Sequence, residues 1–221
     1  THSQLSEEEQ LAAGVSPEEV AAALHSEKVE AIELYAALSA AKLSAASMKA
    51  ALHKAVSDAR PPTSSFRTPI EAADWLAEMS RRLEKRIPNR EYRIDLLRSV
   101  HYEAKRAGLD PQLVRGLRQG ESGFRKYAVS SAGARGYMQV MPFWVKLIGR
   151  QDDSLFNLRT NLRYGCTILR HYLDIEKGDI YRALGRYNGS LGRPEYPNMV
   201  RAVWQNQWSY DKPARLALAR D

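Results

Sequence analysis

Cysteine is almost missing from this chain. Cys166 stands alone, which excludes an internal disulfide framework and a cysteine-ligated zinc site. Long apolar runs are missing too: no window approaches the roughly 18 consecutive apolar residues of a membrane-spanning helix, so none is expected. The opening residues, THSQLSEEE, have neither a basic n-region nor an apolar h-region, so no signal peptide is read there. Histidine is sparse. His2, His25, His53, His101 and His171 form no HExxH or other metal spacing, and there is no glycine-rich phosphate loop, so neither a metal nor another cofactor is expected. What is present suffices for a folded body: hydrophobic residues make up 44% of 221, enough to bury a core, so the chain as a whole is not disordered.

Charge is unevenly placed. Residues 1–60 hold five basic and nine acidic side chains, while 61–221 hold the remaining 28 basic and 17 acidic. A basic stretch of this kind suits nucleic acid, an anionic membrane surface or an anionic polymer such as bacterial cell wall, and is equally compatible with a solvated surface.

The pattern along the chain is helical. Ser6 with Glu9 reads as a capping box, and Ser16-Pro17-Glu18-Glu19 as a second helix start. Leu24, Ile32, Tyr35, Leu38, Met48, Leu52 and Val56 then recur largely at helical spacing, which predicts a helical hairpin or one long amphipathic helix, docked on its own domain or on a partner. Arg60-Pro61-Pro62-Thr63-Ser64-Ser65 breaks the pattern and reads as a linker, dividing a 1–62 extension from a 63–221 domain. Helices are predicted from Thr68-Pro69 to about Pro88, through Ile94, Leu97, Val100 and Ala104 to Gly108, from Asp110-Pro111 onward, and over Leu158–Leu173 and Ile180–Tyr187. Residues 122–142 are rich in Gly, Ser and Tyr and read as loops or short extended pieces. Pro194, Pro197, Trp204 and Trp208 fall in a tail, and Trp75, Trp144, Trp204 and Trp208 read as core rather than as sugar platforms. Cys166, among Leu162, Ile168 and Leu169, reads as a buried small hydrophobe.

Chemistry concentrates after the third of these helices. Glu121 follows Leu117 by one helical turn, so it shares the apolar face, where an unpaired carboxylate is costly and its pKa rises. That is what a general acid needs at a glycosidic bond. On spacing alone a solvated glutamate at a helix C-terminus is equally open. The following stretch, AVSSAGARGYMQVMP, gathers small residues that let a ligand approach the backbone, and Gln139, whose amide both donates and accepts. Arg186-Tyr187-Asn188-Gly189 places a tyrosine at a helix end before a turn.

These segments resemble the catalytic domain of the soluble lytic transglycosylases, which is lysozyme-like and related to goose-type lysozyme. Three motifs occur in order: Glu121-Ser122 within ESGFRKYAVSSAGA, Gly136-Tyr137-Met138-Gln139 running into Val140-Met141-Pro142, and Arg186-Tyr187-Asn188 within YNGSLGRPEYP. The resemblance covers roughly residues 90–205; residues 1–62 have no counterpart in it. Tyr137 replaces the usual leucine, Arg186 the usual alanine, and Gly120 a larger residue before the glutamate. The implied fold is mainly α, a lysozyme-like catalytic domain with an N-terminal helical extension.

The resemblance implies a peptidoglycan lytic transglycosylase. Glu121 would protonate the MurNAc–GlcNAc glycosidic oxygen, then take the proton of the muramyl 6-hydroxyl, leaving a 1,6-anhydro end. Ser130, Gln139, Met141, Tyr187 and Asn188 would line the sugar groove, and Tyr137 and Tyr196 would stack on sugar rings. No second catalytic carboxylate is required, although Asp152, Asp153 and Asp174 are candidates that the sequence does not place across the groove. A hydrolytic muramidase, and a peptidoglycan-binding scaffold recruiting a partner through residues 1–62, are the alternatives. The expected partners are glycan strands, with residues 1–62 offered as a surface for a protein partner. Nucleic acid is not expected, membrane contact is peripheral at most, and a periplasmic location follows from the substrate.

Overall fold

The computed structural model describes residues 45–58, 65–119 and 124–210. The features expected at Ser6, Glu9 and Ser16, the apolar positions Leu24, Ile32, Tyr35 and Leu38, all of the linker but Ser65, and Glu121 with Gly120 and Ser122 lie outside these residues.

The described architecture is mainly helical: α1 (Ala45–Ser57), α2 (Pro69–Leu83), α3 (Arg90–Arg106), α4 (Pro111–Gln119), α5 (Phe143–Ile148), α6 (Leu158–Ile175), α7 (Ile180–Asn188) and α8 (Glu195–Val203), the last running on into a π-helical turn, Trp204–Trp208. Short-range chemistry sets most of the boundaries. Thr68, Asn89, Asn157 and Asp179 each accept a backbone N–H of the first turn, the N-cap interaction that satisfies an otherwise unpaired donor. Pro69 and Pro111 open α2 and α4, where a missing N–H costs nothing. Gly108 and Gly189 follow helix ends with φ of 68° and 70°, the left-handed region glycine enters without a Cβ clash.

Helix α1 belongs to the common core. Met48, Ala51, Leu52, Ala55 and Val56 recur at helical spacing and are all buried, against α5 and α6. Its C-terminal carbonyls are met by cations: Arg106 donates to Ala55 O and Arg163 to Val56 O. The His53 ring pairs with Ile148 O at 2.7 Å. The described parts of the chain on either side of residues 59–64 therefore share one apolar interior.

At the centre, α4 turns Leu113, Val114, Arg115 and Leu117 inward, each at most 3% exposed, so even the Arg115 guanidinium is inside. Gly116 faces Trp204, and a Cβ there would come within 3.2 Å of the Trp204 Cβ, so the glycine permits the close approach of α8 and the π-turn. Helix α6 crosses the same core and packs on α3 and α7.

Residues 195–203 are helical, because Pro194 and Pro197 occupy the cap and first turn, where no N–H is required. Trp75, Trp144 and Trp208 are buried as expected, and Trp204 packs partly buried against the core. Cys166 is buried, and burial raises its thiol pKa.

Candidate active site

Residues 124–142 form a compact loop braced by two isolated bridges, Val129 with Arg135 and Arg135 with Val140. Its tight turns depend on glycine. Gly136 has φ 73°, and a Cβ there would lie 2.4 Å from both Asn161 Nδ2 and Leu155 O. Asn161, 1% exposed on α6, serves three backbone groups: it donates to Arg135 O and Leu155 O, both at 2.8 Å, and accepts from Met138 N at 2.6 Å. Met138 then packs onto α6 where Gly165 leaves room; a Cβ on Gly165 would lie 2.3 Å from the Met138 sulfur. Gln139 itself sits at φ 51°, a left-handed conformation unusual for a side chain other than Gly, Asn or Asp. Its amide nitrogen donates to Gly136 O at 2.9 Å and Ala128 O at 3.2 Å, which closes the turn. The amide oxygen is therefore the part of Gln139 that can accept from a ligand.

A cleft of about 980 Å³ opens over this loop. Ser130, Gln139, Met141, Tyr187, Asn188 and Tyr196, from three separate stretches of sequence, all line it. The Ser130 hydroxyl accepts from Ala134 N at 3.0 Å, which leaves its O–H as a donor. The Tyr187 hydroxyl donates to Met138 O at 2.7 Å. Asn188 donates to Ser190 Oγ at 3.1 Å, holding the turn after α7.

Tyr137 does not join them. It is 1% exposed, with its ring 6.0 Å from Phe124, and so the stacking role expected for it is replaced by a core role. The turn at Gly136 sends the side chains of residues 137 and 138 inward, and burying a tyrosine ring in apolar surroundings is the more favourable use of its area. Asp152, Asp153 and Asp174 are also elsewhere. Asp153 accepts from the Tyr164 hydroxyl and from Arg150 N, and Asp174 pairs with Arg170 at 2.6 Å. No carboxylate occurs among the described lining residues, which do include the cations Arg125 and Lys126.

Arg186, the unusual residue of the third motif, pairs with Glu176, which Arg182 also holds at 2.6 Å. Burial alone would raise the Glu176 carboxyl, but the two guanidinium groups outweigh it and hold its pKa below the usual range. The arginine is thus accounted for by an ion pair behind the cleft.

Arg115, on α4, stacks on Trp208 at 3.8 Å, and its terminal nitrogens have no hydrogen-bond partner among the described residues. Burial, with Arg82 and Arg86 adding to it against an opposing contribution from Tyr137, lowers its pKa to about 9.

Sequence reasoning missed Asn161, the buried amide that fixes the second motif. No local signal marks it, because its partners lie 23 to 26 residues earlier along most of its contacts. It also missed Tyr127, which lines the cleft at 71% exposure; the alternation of Tyr127 and Val129 was the available signal.

Residues 98–198, which include α4, the braced loop and the third motif, match the Transglycosylase SLT domain. Over this domain the chain is similar to the lytic transglycosylases. Similar curated proteins agree on the region. One named Transglycosylase, from Enterobacteria phage PRD1, is 35% identical over 88 residues, covering 40% of this chain and 32% of that protein. Two are named Membrane-bound lytic murein transglycosylase C. The one from Glaesserella parasuis serovar 5 is 37% identical over 109 residues, covering 42% and 30%, and the one from Mannheimia succiniciproducens is 37% identical over 79 residues, covering 32% and 22%. The chain therefore spans a third or less of the length of these relatives, and the likeness is one of the transglycosylase domain. No solved structure matches the chain. The mainly helical architecture is the one expected of the domain, and no helix among the described residues is long and apolar enough to cross a membrane.

Proposed function

We propose that the chain is a peptidoglycan lytic transglycosylase in which Glu121 acts first as acid and then as base. The carboxylic acid donates its proton to the glycosidic oxygen as the bond from the muramyl anomeric carbon breaks, freeing the 4-hydroxyl of N-acetylglucosamine. The resulting carboxylate takes the proton of the muramyl 6-hydroxyl, whose oxygen bonds to the anomeric carbon. The product ends in 1,6-anhydro-N-acetylmuramic acid and no water is consumed. Ser130, Gln139, Met141, Tyr187, Asn188 and Tyr196 hold the sugars, Ser130 by donating and the Gln139 oxygen by accepting.

The observation that carries this reading is the composition of the cleft. Leu117 and Arg125, on either side of Glu121 in the chain, both line it, and no carboxylate occurs among its described lining residues. A mechanism needing one acid, supplied from the segment between those two residues, suits such a site. Two lining cations suit a polymer whose stem peptides carry carboxylates. The substrate in turn favours the periplasm as the place of action.

Residues 1–62 are proposed to meet a protein partner. Since the apolar face of α1 is already buried in the core, that role falls to its exposed face or to the residues ahead of it.

Mass spectrometry of digested peptidoglycan tests the enzyme reading. Anhydromuramic ends made by the parent and absent with Glu121→Gln are expected. Reducing muramic ends would indicate a muramidase, and binding without any product would indicate a wall-binding scaffold.

A further inference from the structure

Three large hydrophobic side chains stand well exposed among the described residues: Ile70, Tyr127 and Val129. Two of the three lie two residues apart in the wall of the cleft. Val129 bridges to Arg135, and Tyr127 stands in the turn just ahead of it, closed by Ala128 N donating to Arg125 O at 3.3 Å; both side chains are exposed and line the cleft. Tyr127 and Val129 therefore make one apolar strip at the cleft.

The strip is held in place. The Tyr127 ring leans on Phe156 with centroids 6.0 Å apart and planes 44° from parallel, and Phe156 in turn lies beneath the Arg135 guanidinium at 5.6 Å. The Lys126 ammonium sits 5.2 Å from the Tyr127 centroid. An aromatic ring supported at its side, yet 71% exposed, presents a fixed apolar surface to whatever fills the cleft.

We propose that Tyr127, with Val129 beside it, is a stacking platform for one further pyranose ring of the glycan strand, beyond the sugars held at Ser130 and Gln139. A pyranose offers a face of C–H groups that packs on an aromatic ring, while its hydroxyls stay at the rim where water and Lys126 can meet them. The platform lengthens the bound glycan, so it sets a preference for longer strands without touching the reacting atoms. This inference rests on the reading of the cleft as a glycan site.

The test uses the full chain carrying Glu121→Gln, so that nothing turns over, with peptide-free tetra-, hexa- and octasaccharides cut from peptidoglycan and affinities read by calorimetry. Affinity is expected to rise with length in this parent. Tyr127→Ala should abolish the rise, weakening the longest oligosaccharide roughly three- to tenfold and leaving the shortest unchanged; Tyr127→Phe should retain it. An unchanged length dependence in Tyr127→Ala, or an equal loss at every length, would overturn the platform alone. So would a loss seen only with peptide-bearing strands, which would give the strip to the stem peptide. A parent that binds no glycan of any length would overturn the glycan reading of the cleft, and the platform with it.

Discussion

The Tyr187 hydroxyl donates to the Met138 carbonyl oxygen at 2.7 Å, a bond that ties the end of α7 to the loop holding Gln139. It joins residues 49 positions apart and sets the height of one cleft wall against the other. Tyr187→Phe keeps the ring and removes this bond. It should cost about 1 kcal/mol of stability, seen in thermal unfolding, and lower the release of soluble fragments from peptidoglycan by roughly tenfold as the loop loses its register. Unchanged activity with reduced stability would limit Tyr187 to packing.

Gly136→Ala should be far more damaging. The new Cβ would meet Asn161 and the Leu155 carbonyl at 2.4 Å, and φ of 73° is itself unfavourable for alanine. A loss of at least about 2 kcal/mol is expected, together with loss of glycan binding. Asn161→Ala should do comparable harm by another route, leaving Met138 N and Leu155 O without this partner while Arg135 O keeps only Val140 N. Urea midpoints for the two variants check both.

Arg186→Ala restores the residue usual in the family motif. Arg182 still holds Glu176, so the carboxylate keeps one guanidinium. The cost should be about 1 kcal/mol or less, with activity on peptidoglycan unchanged. A large fall in activity would show that the arginine reaches the substrate.

His101 should make stability depend on pH. It is 5% exposed, stacked on Phe66 at 3.7 Å, with Trp75 edge-on and Ser65 on its ring nitrogen. Burial, with a smaller contribution from Lys105, lowers its pKa from 6.5 to about 4. The unfolded chain therefore takes up this proton first as pH falls. The stabilising contribution is fully present above pH 6.5 and lost as pH falls from there through about 4, by roughly 1–3 kcal/mol. Denaturant unfolding at pH 7, 5.5 and 4.5 should show a shallower loss for His101→Gln than for the parent.

The sequence by itself determined most of the helices and named most of the residues that line the cleft. Capping residues at Thr68, Asn89, Asn157 and Asp179, apolar spacing along each helix, and the three short motifs are local signals, and local signals survive without knowledge of the fold. Ser130, Gln139, Met141, Tyr187, Asn188 and Tyr196 were all legible in this way, because each belongs to or borders a motif. The proline-bearing helix at 195–203 was less so, since proline reads as a breaker until its place in the first turn is known. Only the tertiary structure decided which way the side chains of Gly136-Tyr137-Met138-Gln139 turn. Tyr137 goes inward and Gln139 keeps only its oxygen for a ligand, because Asn161 and Gly165 on α6 clamp the turn from a distant part of the chain. Tertiary structure likewise explained Arg186 by Glu176 and left Tyr127 bare at the cleft. Contacts between residues far apart in sequence leave no periodicity to read, and it is those contacts that orient a site whose members the sequence can name.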